Sequence, residues 1–477
     1  MTRFFSRLRK EIGRKSESGQ ALVIIVAAMI GLIAIVGLAV DGGILYIAHG
    51  KLRRAVDAAA VSAANQIREG YHIEDLTNAA QEFLHLNQVD VTNVVIETCD
   101  TSPNDPELCP APGQLARKLV RVTASLKVNF GFLPVIGIRS TVITASAIGE
   151  AASIDAVLVL DNSASMAFEG DGDPSNDSDL SNCPDGNNNP NQADCKEDDP
   201  HKCNVNDNCE PFRSIKNVAI EFINRLYYPY DRVALVTFDR NPANPLPLTA
   251  DPKAIRQNIE NLRVFDPPEC PTAQGPCRNY DANKNYLGLE CPIYRQTGDP
   301  TTCTSSNIGG GLQMGGFAFS HPGDMREDSL WVLILLAGGP ANTGYDLQTD
   351  QAAKFRFCPS TTWVSPFCRD NDASGDTRHA SGSPYYDADD YAYDMADFVA
   401  DPDNGQGGVI FTIGLGNLVR NAPIGDPLDG EELLKYAAEQ AGGPHANHGM
   451  YYYAPDAAAL REIFRQIAEN IATRLSR

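Results

Sequence analysis

Twenty consecutive residues, Ala21 to Val40, carry no charge. At about 1.5 Å of rise per residue such a run spans roughly 30 Å as a helix, the thickness of a bilayer's hydrocarbon core. A cleaved secretory signal has an apolar core of about 7 to 15 residues and a small-residue cleavage site. The run here is longer and continues into helix-like sequence, so it reads as an uncleaved anchor. Arg3, Arg7, Arg9, Lys10, Arg14 and Lys15 precede it, offset by Glu11 and Glu17. The positive-inside rule keeps this basic stub, residues 1–20, in the cytoplasm and sends the bulk of the chain out across the cytoplasmic membrane in a single pass.

Composition fits an exported chain. The formal charge of the 477 residues is -22, and the basic stub leaves a still larger negative excess on the part beyond the anchor. Such a surface repels nucleic acid and anionic headgroups, which excludes DNA binding. All twelve cysteines follow the apolar run, with short spacings such as Cys99 to Cys109 and Cys358 to Cys368. An even number in loop-like sequence predicts disulfides formed in an oxidising compartment, with a connectivity the sequence does not give. Zinc sites usually take C-x₂₋₄-C pairs, and no two cysteines here are closer than Cys203 and Cys209.

From about Ser153 onward, strand-like and helix-like segments alternate. Ser214 to Leu226 has the apolar spacing of an amphipathic helix, and the β-rich run Arg232–Phe238 follows it. Leu330–Leu336 and Val409–Ile413 are continuous apolar runs of strand length, as expected where helices cover both faces of a parallel sheet. Glu431–Gln440 and Asp456–Arg474 are again helix-like. The alternation predicts an α/β fold with a doubly wound, mainly parallel sheet over residues 153–477.

The first strand of that series, AVLVL, runs directly into Asp161, Ser163 and Ser165. One carboxylate and two hydroxyls leave a strand end together, where open α/β sheets bind ligands, and hard cations prefer oxygen. The DxSxS spacing resembles the metal-ion-dependent adhesion site of von Willebrand factor A domains, and the strands and closing segment GGVIFTIGLGN…ELLKYAAEQAGG…YYYAPDAAALREIF resemble the same family. Ser306-Asn307-Ile308-Gly309-Gly310-Gly311-Leu312 resembles its TNIGxGL loop, with Ser306 in the threonine's place. The third element departs from the pattern, because Leu335-Leu336-Ala337-Gly338-Gly339 has Gly338 where the family carries an aspartate. The resemblance therefore implies either a weakened Mg²⁺ or Mn²⁺ site on Asp161, Ser163, Ser165 and Ser306, or a decayed site in which Asp161 caps the following loop.

Beyond the anchor, Ile44, Leu45, Leu52, Val56, Ala59, Ala60, Ala63 and Ile67 prolong an apolar stripe, so the helix is expected to continue outward with a bend at Gly42-Gly43. Ser18 to Ala64 resembles the N-terminal region of TadE/TadG-like Tad/Flp pilus-assembly proteins, with Asp41, Leu52, Asp57 and Ala58-Ala59-Ala60 at that family's positions. Small residues there let helices approach closely. A prepilin cleavage glycine is followed by glutamate five residues on, whereas Gly19 is followed there by Ile24, so polymerisation as a pilin subunit is not expected. Leu119–Phe130 alternates at period two and Val135–Ala151 does so more loosely, which suggests paired strands like the small pilin-like α+β segment of TadG-like proteins, within residues 41–152.

Three long polar stretches, 170–211, 267–304 and 342–404, read as cysteine-containing insertions on the ligand side of the sheet. Asp370, Asp372, Ser374 and Asp376 have the oxygen spacing of a Ca²⁺ loop without its closing glutamate, and Asp281, Asn283 and Asn285 form a shorter version. Tyr385, Tyr386, Tyr391 and Tyr393 among aspartates are either an adhesive patch or the packing of an insertion. Catalysis finds no anchor point: Ser163 lacks a nucleophile elbow and an assignable base, and there is no GKS/T loop or HExxH. The expected role is a non-enzymatic one in pilus assembly or adhesion, with an outward A domain that binds a protein or cell-surface ligand and pilus-assembly membrane proteins. The alternative is a structural pilus component that takes no external ligand.

Overall fold

The computed structural model describes residues 2–67, 71–111, 114–169, 199–270, 277–290, 306–320, 325–326, 329–341, 378–380, 383, 386, 388–420 and 429–475. The chain divides into two compact units, Met1–Ala151 and Ala152–Arg477.

The first unit is built on one helix, α1 (Thr2–Ala64), which runs unbroken through Gly42-Gly43 where a bend was expected. Its apolar stretch is exposed, with Leu22 to Val40 facing outward almost throughout. Past Lys51 the pattern reverses, and Leu52, Ala55, Val56, Ala59, Ala60, Ala63 and Ala64 are fully buried. A second helix, α2 (Ile73–Leu86), buries Leu76, Ala80 and Leu84. The strands β1 (Asn93–Thr98), β2 (Lys118–Asn129) and β3 (Ser140–Ala151) form an antiparallel sheet in the order β1-β2-β3.

The alanine cluster of α1 has a sheet-packing role besides the helix packing expected of it. A Cβ on Gly149 of β3 would lie 2.2 Å from the Ala60 carbonyl oxygen, so glycine on the strand and alanine on the helix let two backbones touch. Close approach of that kind tolerates no added methylene.

The second unit is a six-stranded sheet in the order β13-β12-β11-β4-β7-β8. Its chain order is β4 (Ile154–Asp161), β5 (Ala167–Glu169), α3 (Pro200–Asn206), β6 (Glu210–Pro211), α4 (Phe212–Ile223), β7 (Arg232–Phe238), β8 (Pro242–Thr249) and α5 (Pro252–Asn261). There follow β9 (Cys277–Tyr280), β10 (Tyr286–Glu290), α6 (Ile308–Phe319), β11 (Leu330–Ala337), α7 (Ala388–Ala400), β12 (Val409–Leu415), α8 (Gly430–Glu439), β13 (Tyr451–Ala454) and α9 (Ala457–Leu475). Strands β13 to β7 are parallel, and β8 closes one edge antiparallel to β7.

Alternate residues of the central strands face opposite cores. Ala156, Leu158 and Leu160 join residues of α4, α5 and α9, while Val157 and Val159 join residues of α6, α7 and α8. This two-sided burial explains why the central strands are continuous apolar runs. The mainly parallel, helix-covered sheet is the expected doubly wound α/β architecture.

Helix α7 lies inside the 342–404 stretch that reads as an insertion, yet it covers the sheet and buries Tyr391, Ala392, Ala396 and Val399. The aspartates misled, because Asp390 is buried as well and accepts the backbone N–H of His379 at 2.6 Å. At the far end of the sheet, Asp155 of β4 is fully buried against Arg232 and Arg326.

Candidate functional site

The chain passes from β4 to β7 on one side and later returns to β11 on the other, so the direction of winding reverses at β4. Ligands of open α/β sheets bind at such a switch point, outside the carboxyl ends of the strands. Asp161 is the last residue of β4, Gly338 directly follows β11, and Asp239 directly follows β7.

Asp161 is fully buried, and Ser163, Ser165 and Ser306 are at most 5% exposed. The Ser163 N–H donates to Asp161 Oδ1 at 2.9 Å, and the Gly338 N–H donates to Oδ2 at 3.0 Å. Ser306 Oγ reaches the same Oδ2 at 3.4 Å, and the Ser163 and Ser165 hydroxyls are 2.7 Å apart. Residues 145 or more positions apart in sequence thus meet around one carboxylate.

The loop before α6 is fixed by Asn307. Its side chain accepts the Gly310 N–H at 2.8 Å and donates to the Arg240 carbonyl at 3.0 Å, while its backbone N–H donates to the Asp239 carbonyl at 2.8 Å. One residue therefore caps α6 and ties Ser306 to the end of β7.

Burial dominates the electrostatics of the site. Burial pushes the Asp161 carboxyl up to about 6, with the charge of Asp239 adding to the rise and hydrogen bonds from Ser163 and Gly338 opposing it. Burial also raises Asp239, against the Asn241 N–H and the charge of Arg240. Sequence reasoning missed Asp239, although a carboxylate directly after a strand parallel to β4 has to emerge at the same edge of the sheet.

The decisive feature is the wall opposite Asp161. A Cβ on Gly338 would lie 1.9 Å from the Met166 methyl carbon, so Met166 fills the space into which a side chain at 338 would project. A hard dication such as Mg²⁺ demands near-octahedral oxygen coordination and keeps several waters. The niche instead offers one carboxylate, Asp161, with the hydroxyls of Ser163, Ser165 and Ser306, all of them buried. These residues do not fit a resident Mg²⁺ or Mn²⁺ ion. Among the described residues there is no group of three or more His, Cys, Asp or Glu that could hold a metal.

The other expected ion sites resolve differently. Asp370, Asp372, Ser374 and Asp376 lie outside the described residues, as do Cys358, Cys368 and Tyr385. Asp281 accepts the N–H groups of Asn283 at 2.7 Å and Asn285 at 2.8 Å, so its carboxylate closes the turn between β9 and β10. Tyr386, Tyr391 and Tyr393 are buried, and the Tyr391 hydroxyl donates to Gln313 at 2.9 Å, which makes them packing residues. Disulfides join Cys99 to Cys109, Cys203 to Cys209 and Cys270 to Cys277.

Residues 19–66 match the family model of putative Flp pilus-assembly TadE/G-like proteins. The similarity covers the N-terminal segment alone. No curated protein matches the chain in sequence. Among solved structures, the chain is similar to the PilB minor pilin from Streptococcus sanguinis, with 14% identity over 75% of this chain and 76% of that one and a TM-score of 0.38. It is also similar to the vWF domain of the type V pili tip protein Mfa5 from Porphyromonas gingivalis, with 17% identity over 69% and 97% and a TM-score of 0.36. For the conserved hypothetical protein BatB from Bacteroides thetaiotaomicron the values are 11% identity, 67% and 100%, and 0.31. The architecture rests on the chain's own strand order.

Proposed function

We propose that this is a membrane-anchored protein of Tad/Flp pilus assembly or adhesion, with the TadE/G-like helix in the cytoplasmic membrane and residues 153–477 outside. In this reading the A-like unit binds a protein or a cell-surface ligand through the loops at the carboxyl ends of β4, β7 and β11, as a binding module without catalysis. The observation that carries it is the joining of a TadE/G-like segment, on a helix of membrane-spanning length, to a doubly wound sheet with polar loops at its switch point. Because Asp161 is the one carboxylate among the four niche residues and Gly338 brings no second, binding in this reading proceeds without a resident Mg²⁺ or Mn²⁺.

That same filled niche supports a second reading, in which the A-like unit is a structural part of the pilus machinery and takes no external ligand. Substitution of Asn241, which is exposed at the end of β7, by a bulky arginine separates the two in cells that express the full chain. Normal pilus number with impaired surface attachment supports ligand binding. Impaired piliation supports the structural role, and normal piliation together with normal attachment counts against a binding surface at this edge.

A further inference from the structure

The tip of the β2–β3 hairpin is an apolar loop, Phe130-Gly131-Phe132-Leu133-Pro134-Val135-Ile136-Gly137-Ile138, without one charged residue. Its centre, Leu133–Ile136, is a single 3₁₀ turn. Val135 is 88% exposed and Ile136 72%, with Phe132 and Ile138 also open. Exposed apolar side chains clustered on a loop tip call for a partner.

Where the tip sits identifies the partner. It is fastened to α1 by Asp41, whose carboxylate accepts the N–H groups of Gly131 at 2.7 Å, Phe132 at 3.0 Å and Leu133 at 2.7 Å. Phe132 lies directly on Gly37, where a Cβ would come within 2.8 Å of the phenylalanine Cβ. Between tip and helix runs a groove of about 590 Å³ lined by Ile30, Ile33, Leu38, Phe132, Leu133 and Ile136, among others.

Asp41 does not mark the membrane surface, because it is only 1% exposed and its oxygens are taken by backbone donors. Exposed apolar surface continues past it through Tyr46 and Ile47. Gly37 lies ten residues before Ile47, which at about 1.5 Å per residue puts the docked tip about 15 Å below Ile47 along the helix. Arg139 at the base of the loop and Lys127 on β2 are exposed, and both are long enough to reach phosphate headgroups while the tip lies deeper.

We propose that the β2–β3 hairpin tip is embedded in the bilayer beside α1 and that a lipid acyl chain fills the groove between them. The proposal rests on the reading of α1 as a membrane anchor. It gives this unit a second attachment to the membrane, which fixes the tilt and rotation of the sheet relative to the bilayer.

The test uses the full chain in vesicles of phosphatidylcholine, with ordinary or brominated acyl chains, and one added tryptophan at a time. Val135→Trp is the probe, Ile25→Trp reports the anchor, and Val95→Trp on β1 reports the sheet away from the tip; the wild-type chain supplies the background of its own two tryptophans. Val135 is exposed, so its replacement leaves folding intact. The proposal expects brominated lipid to remove the added emission at positions 135 and 25 alike and to leave position 95 unchanged. Gly37→Leu, which displaces Phe132, is expected to weaken quenching at 135 while position 25 keeps it. Quenching at 25 without quenching at 135 overturns the embedded tip and leaves the anchor standing. A 135 signal that is unquenched but shifts to the blue as protein density rises assigns the groove to a second copy, which also overturns it. Quenching at neither position removes the anchor itself.

Discussion

Asp161 lies buried at the switch point of the six-stranded sheet, and its surroundings set how it titrates. Its folded-state carboxyl is raised to about 6, chiefly by burial, above the ordinary aspartate value near 4. Between those two values the folded state holds a proton that the unfolded state has released, so Asp161 makes the fold less stable as pH rises from about 4 to 6. The loss is on the order of 2 to 3 kcal/mol and is complete above about pH 7. Asp161→Asn is expected to lack that component, so the difference in unfolding free energy between variant and wild type should change across this window. A pH-independent difference would show that the carboxyl is not raised. The second residue-scale prediction concerns the filled niche. Mg²⁺ should leave the wild-type melting temperature unchanged, whereas Met166→Ala combined with Gly338→Asp should gain a Mg²⁺-dependent rise, since it removes the obstructing methyl and adds a carboxylate. A Mg²⁺ response of the wild type equal to that of the double variant would contradict the assigned role of Met166. None of this was legible in the sequence beyond the lost aspartate, because the Met166–Gly338 approach joins loops that only the folded sheet brings together.

At the scale of elements, strands buried on both faces announced themselves. Arg232–Phe238 stands in the sequence with the bounds it has in the fold, and the apolar runs at 330 and 409 needed extension by only a residue or two. Elements with a mixed face were harder to read. The short strand β1 and the amphipathic helix α2 passed unnoticed, and α7 was hidden by buried aspartates whose partners lie elsewhere in the chain. The start of β4 offers a test of such buried charge. Burial by itself would raise Asp155, but hydrogen bonds from Arg232 and Arg326 outweigh it and hold the carboxyl below its usual range. A depressed folded value gives stability that is present above about pH 4 and is lost as pH falls through the folded value. Asp155→Asn leaves Arg232 buried without its counter-charge, for which about 3 to 5 kcal/mol of destabilisation is expected. Denaturant unfolding at pH 7 reads this directly, and a loss under about 1 kcal/mol would mean that the cluster is not a structural lock.

For the whole molecule, charge, cysteine placement and the apolar helix agree. The bases of the stub precede the apolar run, and all but two of the acidic residues and every cysteine pair described follow it. Disulfides persist in oxidising compartments and the positive-inside rule keeps a basic stub in the cytoplasm, so both support the proposed outward orientation of the bulk of the chain. The match at residues 19–66 and the polar loops at the sheet's switch point support the proposed role in pilus assembly or adhesion. The most direct measurement is protease digestion of cells whose cytoplasmic membrane is intact and whose outer layers have been opened. The account predicts that residues beyond the anchor are digested without detergent, leaving a protected N-terminal fragment that contains Ala21–Val40. Protection of the full-length chain until detergent is added would contradict it.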